Sequence, residues 1–431
     1  MNHCVRKAVL TAFLRWLCCV GGALHGAAFA ADSSGALSLR EAIAATLDAN
    51  PQLGIYQVRQ EVLQGEGLTA ALPLPLQLSA GAEDVLGSGE LGGVDRAEFS
   101  LSFSRVVELG DQRAARAGVN SRRLQLVQAE RRVTELDLLA EVTRRFVAVA
   151  AAQERLELQG RAVTLAQQTV AALDPLVTAG QRPAIEQARA RAALERANLA
   201  AAHGRVSLDA ARIDLASMWN SQSPPFDTVR ANLRDPGTAG ALDALLTALD
   251  GNPDLLALAG EERLREAELR EAMSARRGTA QWTAGVRHLR ELGDTGFVLG
   301  ASVPLGSRER AAGAIAVAEA NLRGIGVQRE IVLNRLRNQL SALHLRLGQA
   351  ILEVNTLRDS VLPQLDAAQE QTRAAYLAGR YGYLELVGAQ REYLDAELAL
   401  ISAAEDAHLL RAEIERLSGS PLNPENPEPS P

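Results

Sequence analysis

Aromatic side chains make up only 3% of this 431-residue sequence, although 47% of it is hydrophobic. A core of Ala, Leu and Val with so few rings suits closely packed helices rather than a large sandwich or a doubly wound sheet, which draw on β-branched and aromatic residues. Cysteine is scarcer still, and Cys4, Cys18 and Cys19 all lie at the N-terminal end. The rest of the chain therefore has no disulfide framework and no thiolate metal site. No run approaches the roughly 18 consecutive apolar residues of a membrane-spanning helix. Entry into a membrane would have to be as a β-barrel, the other structure that satisfies every backbone group. A basic patch with interleaved aromatics is also missing, and 52 acidic against 45 basic side chains give a net charge of −7, which argues against nucleic acid as a partner.

Signatures of catalysis are absent as well. His3 and His25 belong to the N-terminal segment, and His203, His288, His344 and His408 are isolated, with no H-E-x-x-H pattern. There is no phosphate-binding loop, dinucleotide fingerprint or G-x-S-x-G elbow. Adjacent acids such as Glu405 and Asp406 point different ways on a helix and read as surface charge. The expectation is a protein that is not an enzyme, with no cofactor and no resident metal; His288 and His344 read as ordinary side chains, because a stable metal site needs three or four converging ligands.

What is present begins with Arg6, Lys7 and Arg15, the apolar stretch "WLCCVGGAL" (16–24) and Ala28-Phe29-Ala30. That order predicts a secretory signal peptide over 1–30 with cleavage after Ala30. Cys18 and Cys19 lack the Leu usually found three residues before a lipidated cysteine, which argues against lipidation. Removing residues 1–30, which carry three basic side chains and no acid, takes the net charge from −7 to −10.

The remainder is one plan written twice, at an offset near 200 residues. "LREAIAATLDANPQL" (39–53) answers "ALDALLTALDGNPDL" (241–255), with Asn50-Pro51 matching Asn252-Pro253. Each copy continues into a helical stretch and then a pair of segments alternating with period two, the pattern of strands. These strands are predicted at about 76–85 and 96–107, and at about 280–289 and 295–305. In "RAEFSLSFSRVV" (96–107), Phe99, Leu101 and Phe103 alternate with Ser100, Ser102 and Ser104. Leu76, Leu78, Ala80 and Ala82 face one way in the first strand; Trp282, Ala284 and Val286, then Phe297, Leu299, Ala301 and Val303, do so in the second copy. Gly-rich loops separate the partners of each hairpin.

Related junctions, "VVELGDQRAAR" (106–116) and "SVPLGSRERAA" (302–312), lead into long helical segments of roughly 60 residues, or about 90 Å of helix. Apolar spacing of three and four runs from Leu139 through Val142, Phe146, Val149, Gln153, Leu156, Gly160, Val163 and Gln167 to Val170. The second series runs Leu336, Leu340, Leu343, Leu347, Ala350, Val354, Leu357 and Val361. Both are seven-residue repeats that imply left-handed coiled-coil packing, the first with a looser seam. Pro363 should kink the second helix. Turns near 178–184 and 377–384, with Gly180 and Gly379 at equivalent places, reverse the chain into helices at about 184–218 and 383–418. The predicted layout is a first repeat over 31–238, a second over 239–420 and a Pro-rich disordered tail over 421–431.

Four strands with an apolar face cannot close a transmembrane barrel, which needs about eight, and open edges are forbidden in hydrocarbon. Several chains would have to pool their strands, and three would supply twelve. Phe99, Leu101, Phe103, Trp282, Phe297 and Leu299 would then face outer-membrane lipid, with the serines toward a wet lumen. The alternative is a periplasmic coiled-coil scaffold whose hairpins never enter a membrane.

Taken together, these features resemble the TolC-like outer-membrane efflux factors over nearly the whole chain beyond residue 30. The resemblance implies a mostly α fold with a small β part: long α-helical hairpins repeated twice per chain, building a periplasmic α-barrel, and four strands per chain in a trimeric twelve-stranded β-barrel. It implies a homotrimer in the outer membrane of a Gram-negative bacterium, extending into the periplasm and working with a periplasmic adaptor (membrane fusion) protein and an inner-membrane RND transporter. "VVELGDQRAAR" and "AAQERLEL" (151–158) look most like the CzcC branch, which serves divalent heavy-metal efflux; "AGRYGYLELVGAQ" and "EIERLSG" (413–419) fit the broader family. Export of drugs or organic toxicants is the alternative within that family. By resemblance, Gly180, Gln181 and Arg182, with Gly379, Arg380, Tyr381 and Gly382, occupy the adaptor-contact tips. Glu385 falls where many members carry an acid that constricts the tunnel, and Glu186 is its counterpart in the first repeat. The place of a second acid, one turn later, is Gly388.

Overall fold

The computed structural model describes residues 35–85, 87–89 and 93–419. The predicted signal peptide and the 421–431 tail lie outside the described residues. Chain order begins with a short strand β1 (Ala36–Leu37), helices α1 (Leu39–Ala49) and α2 (Pro51–Ala70), strands β2 (Leu76–Glu83) and β3 (Glu98–Glu108), and helices α3 (Gln112–Thr178) and α4 (Ala184–Ser217). After the short strand β4 (Thr228–Val229) the sequence of elements recurs: α5 (Leu242–Ala248), α6 (Pro253–Ser274), β5 (Thr279–Leu289), β6 (Asp294–Ser302), α7 (Ser307–Thr356), α8 (Leu362–Leu377) and α9 (Tyr383–Ser418).

Strands β2 and β6 stop short of their predicted ends for local reasons, whereas β3 and β5 reach theirs. β2 ends at Glu83 because Asp84 turns to φ 53°, outside the extended region. β6 ends at Ser302, so Val303 lies just past it; Pro304, which has no N–H for a ladder, follows. α3 is longer than predicted, at 67 residues, or about 100 Å. Its partner in the second repeat is broken by a π turn at Leu357–Val361, immediately before Pro363 at the start of α8. The wider turn accommodates the missing donor and bulky ring of the proline. In the seven-residue seams, Val142, Phe146 and Val149 are buried but Gly160 and Gln167 are exposed, whereas Leu336, Leu340, Leu347, Ala350 and Val354 are all buried.

The two Asn-Pro dipeptides organise the middle of the molecule. Pro51 and Pro253 start α2 and α6, where a proline costs no hydrogen bond. Asn50 caps α2 by accepting from the Gln52 N–H at 2.9 Å and donates to the Met218 carbonyl at the end of α4 at 2.8 Å. Asn252 repeats the arrangement, accepting from the Leu255 N–H at 3.1 Å and donating to Leu417 O at the end of α9 at 2.6 Å. Each side chain thus satisfies one orphan donor of one helix and an orphan carbonyl of another. The effect is to set α2 at the end of α4, and α6 at the end of α9.

Lateral order follows from the packing. Among the described residues α2 and α4 pack on α3, α3 packs on α6 and α9, and these pack on α7. The four long strands form one antiparallel sheet in the order β2-β3-β5-β6. Because α2 leads into β2, α3 leaves β3, α6 leads into β5 and α7 leaves β6, strands and helices run side by side in the same order.

The segment joining the repeats is strapped across this wall. β4 pairs with β1, and Gln153 both accepts from Val229 N (2.7 Å) and donates to Val229 O (3.2 Å). His408 donates to Leu233 O at 3.0 Å, and burial pushes its pKa below the usual histidine value. Glu397, only 4% exposed, accepts from Arg161 at 3.2 Å, Arg234 at 3.1 Å and Tyr393 at 3.1 Å.

Asn252 is fully buried, so replacing it with Ala removes a cap and strands a carbonyl. Asn252→Ala should lower stability by about 2–4 kcal/mol. Asn252→Asp, which keeps the cap and loses the donor, should fall between the two. Thermal unfolding midpoints check this; equal midpoints for wild type and Asn252→Ala would show that the junction holds nothing.

Candidate functional site

Two regions have exposed chemistry that the fold itself does not use. In the sheet, register places Phe99 opposite Ala82 and His288, Leu101 opposite Ala80 and Val286, and Phe103 opposite Leu78 and Ala284. Val286 faces Phe297, Ala284 faces Leu299 and Trp282 faces Ala301. Phe99, Leu101, Phe103, Trp282, Phe297 and Leu299 therefore share one face, and all are exposed, Phe297 to 89% and Leu299 to 83%. His288 lies on that face at its far end, bonded to Thr295 at 3.1 Å. The opposite face carries Gln77, Ser79, Ser100, Ser102, Ser104, Gln281 and Thr283, together with glycines. At Gly285 a Cβ would lie 2.5 Å from Leu101 O, so the close approach of β3 and β5 requires glycine. β2 and β6 are the sheet's unpaired edges.

The helices below have matching free flanks. On one side, α2 exposes Ile55, Val58, Val62 and Leu68, and α4 exposes Ile185, Leu199, Val206 and Ile213. On the other, α7 exposes Val317, Ile331, Leu345 and Leu352. The α4 and α7 sets recur at multiples of seven residues, the spacing of a coiled-coil seam without its partner.

The second region is the pair of tips. α3 and α8 end alike: Gly180 and Gly379 both adopt φ 72°, and the N–H groups of Gln181 and Arg380 reach back to Leu176 O (2.8 Å) and Ala375 O (2.9 Å). Each is a helix terminus that needs a left-handed residue. Gly180, Gln181, Gly379, Arg380 and Tyr381 are exposed at the turns, and Gly382 is half-buried. Arg182 is held within the chain: its guanidinium reaches Tyr376 O and Tyr381 O, both at 3.4 Å, and sits 4.8 Å from the centre of the Tyr376 ring. It clasps the first tip to the second. Tyr376, Tyr383, Leu386, Leu173 and Ala190 form the small core beneath.

Glu186 and Glu385 occupy the same place, the third residue of α4 and of α9, where an acid also complements the helix dipole. Glu385 is exposed, its carboxylate folded back over Gly382. Glu186 is half-buried, with Oε2 shielded from solvent and without a hydrogen-bond partner; the buried Tyr376 hydroxyl likewise has none. Burial, and then the Glu186 carboxylate, push the Tyr376 hydroxyl above the usual tyrosine pKa. Sequence reading missed Tyr376, although three of the five tyrosines (376, 381 and 383) crowd this one turn of an aromatic-poor chain. No group of three or more His, Cys, Asp or Glu side chains able to hold a metal ion occurs among the described residues.

Comparison with known proteins extends the picture. A sequence model of the family described as "Outer membrane efflux protein" matches residues 42–221. The cobalt-zinc-cadmium resistance protein CzcC of Cupriavidus metallidurans is 26% identical over 91% of this chain and 92% of its own. In fold, the chain is similar to a membrane protein from Pseudomonas aeruginosa, with a TM-score of 0.73 at 17% identity over 89% of this chain and 90% of that one. It is likewise similar to the open state of the Neisseria gonorrhoeae MtrE outer membrane channel, with a TM-score of 0.70 at 19% identity over 89% of both chains. With its two-faced sheet set above long paired helices, the chain has the fold of outer membrane channels of known structure, and its residues 42–221 are similar to the outer membrane efflux protein family.

Proposed function

We propose that three copies of this chain form the outer-membrane exit duct of a three-component efflux system that exports divalent heavy-metal cations. The observation that carries this reading is the shared lateral order of strands and helices, which leaves β2 and β6 as open edges above helices α2, α4 and α7, whose apolar stripes have no partner. Edge β6 of one copy meets edge β2 of the next, antiparallel because each copy supplies an even number of strands. Beneath that joint, the apolar stripe of α7 meets the stripe that runs down α2 and α4. Three repeats close twelve strands, with Phe99, Leu101, Phe103, Trp282, Phe297 and Leu299 in lipid and the serine face lining water.

The cargo follows from kinship. Proteins conferring resistance to cobalt, zinc and cadmium, and to nickel and cobalt, align with most of the chain. The tips, farthest from the sheet, are the docking surface for a periplasmic adaptor bound to an inner-membrane RND transporter, through Gly180, Gln181, Gly379, Arg380, Tyr381 and Gly382. Arg182 acts there by holding the two tips together. Glu186 and Glu385, one turn inside, place two sets of three carboxylates at the narrow end of the tunnel, which favour cations and repel one another.

Three outcomes test this reading. A strain lacking the protein should accumulate cobalt, zinc, cadmium and nickel after sublethal challenge; a wild-type copy should restore normal content and a copy deleted for Gly379–Gly382 should not. Unchanged metal content would exclude metal export and turn attention to organic toxicants. Val206→Glu or Leu345→Glu should abolish the detergent-resistant trimer while helix content, read by circular dichroism, stays the same; a persisting trimer would rule out this seam. In planar bilayers, Glu186→Gln/Glu385→Gln should reduce the preference for cations over anions several-fold, and an unaltered reversal potential would exclude these carboxylates from the pore.

A further inference from the structure

The junction where strands become helices carries a groove that conduction does not use. It lies between the first turns of α3 and the last turns of α6, has a volume of about 600 Å³, and is lined by Arg122, Arg270, Arg277 and Asp111 around Gly118 and Met273. Arg122 and Arg277 make no ion pair among the described residues, and Arg270 has only a 3.9 Å contact with Glu266 in its own helix. Gly110, at φ 89°, lets the stem of Arg277 lie across the chain just above α3; a Cβ there would overlap it.

The side of the wall on which the groove opens can be derived. Glu108 lies on the serine face of β3 and holds Arg116 of α3 in an ion pair. Ala114, Gly118, Ser121 and Gln125, which line the groove, lie roughly 140–200° around the helix from Arg116 at about 100° per residue. The groove therefore opens on the side of Phe99 and Val107, the apolar face. On that face Arg105 stands directly opposite Trp282, both exposed, a pairing of residue types that sits at a membrane–water boundary. The groove begins just beyond it. Since α3 and α6 are inner members of the lateral order, closing a ring of copies leaves the groove open.

We propose that this groove seats the phosphate headgroup of an anionic phospholipid of the inner leaflet. The lipid's tails run up the apolar sheet face and its glycerol region rests on Met273 and Gly118. Three guanidiniums against one carboxylate supply the charge, and the forked donors of arginine suit phosphate oxygens. The N-terminus of α3, at the same level, adds a favourable dipole. The junction motifs that lead into the long helices thereby acquire a role in fixing the depth of the duct in its membrane. This inference rests on the outer-membrane reading above.

The test uses the full-length trimer extracted from membranes, exchanged into detergent with equal phosphatidylglycerol and phosphatidylcholine, and weighed by native mass spectrometry. Wild type should retain phosphatidylglycerol preferentially, and added inorganic phosphate should not displace it at concentrations equal to the lipid. Arg122→Gln/Arg277→Gln should lose at least about tenfold of that retention, while Arg59→Gln/Arg335→Gln, an equal change of charge in a separate groove between α2, α3, α6 and α7, should match wild type. Equal retention of the two lipids by wild type, equal loss in both variants, or displacement by phosphate would each overturn the proposal. Should the groove variant fail to trimerise, the wild-type lipid preference and phosphate competition decide the matter alone. Recovery of the protein in osmotic-shock fluid would instead sink the outer-membrane reading, whereas a membrane trimer indifferent to phosphatidylglycerol would remove only the groove.

Discussion

A strand edge has hydrogen-bonding groups that must be satisfied, and in this chain two edges are left open. β2 and β6 flank a sheet whose one face is Phe, Leu, Trp and Ala and whose other is Ser, Thr, Gln and Gly. In water such a sheet would expose a broad apolar patch; in hydrocarbon its edges would cost several kcal/mol for each unsatisfied group. Neither environment suits one copy alone. The same incompleteness extends into the helices, where α7 on one flank and α2 with α4 on the other present apolar stripes without partners. A single constraint, that backbone groups and apolar stripes find partners, therefore governs sheet and helices together.

Continuity between the two layers depends on how helices are joined end to end. The wall contains the unbroken α3, the nearly continuous run of α7 and α8, and two composite columns spliced at Asn50 and Asn252. A side-chain amide can donate and accept at once, which lets one residue close the ends of two helices where a continuous backbone would otherwise be needed. The linker held by Gln153, His408, Arg234 and Glu397 then binds the first repeat to the second at the same level.

Charge is distributed along the long axis with different effects at each end. At the tips, Arg182 is spent on clasping the hairpins, which leaves Glu186 beside a buried phenol and Glu385 exposed. At the junction with the sheet, arginines prevail and open toward the apolar face. On the proposed reading, the acidic groups at the tips would favour cations and the basic groups at the sheet junction would hold a phosphate.

Sequence alone determined a good deal. The period-two runs gave four strands and their faces, the seven-residue runs gave the long helices, and the repeated Asn-Pro and Gly turns gave the two-fold plan, because each of these signals is local and set by backbone geometry. The strand ends at Glu83, before Asp84, and at Ser302, before Pro304, and the π turn before Pro363 depend on backbone detail that periodicity does not carry. Only tertiary structure decided that Asn50 and Asn252 each bridge two helices more than 160 residues apart in sequence, that Arg182 turns inward to Tyr376, and that Arg122, Arg270 and Arg277 line one groove. Those contacts join residues with no periodic relation to one another, and they exist only once lateral order has brought their helices side by side.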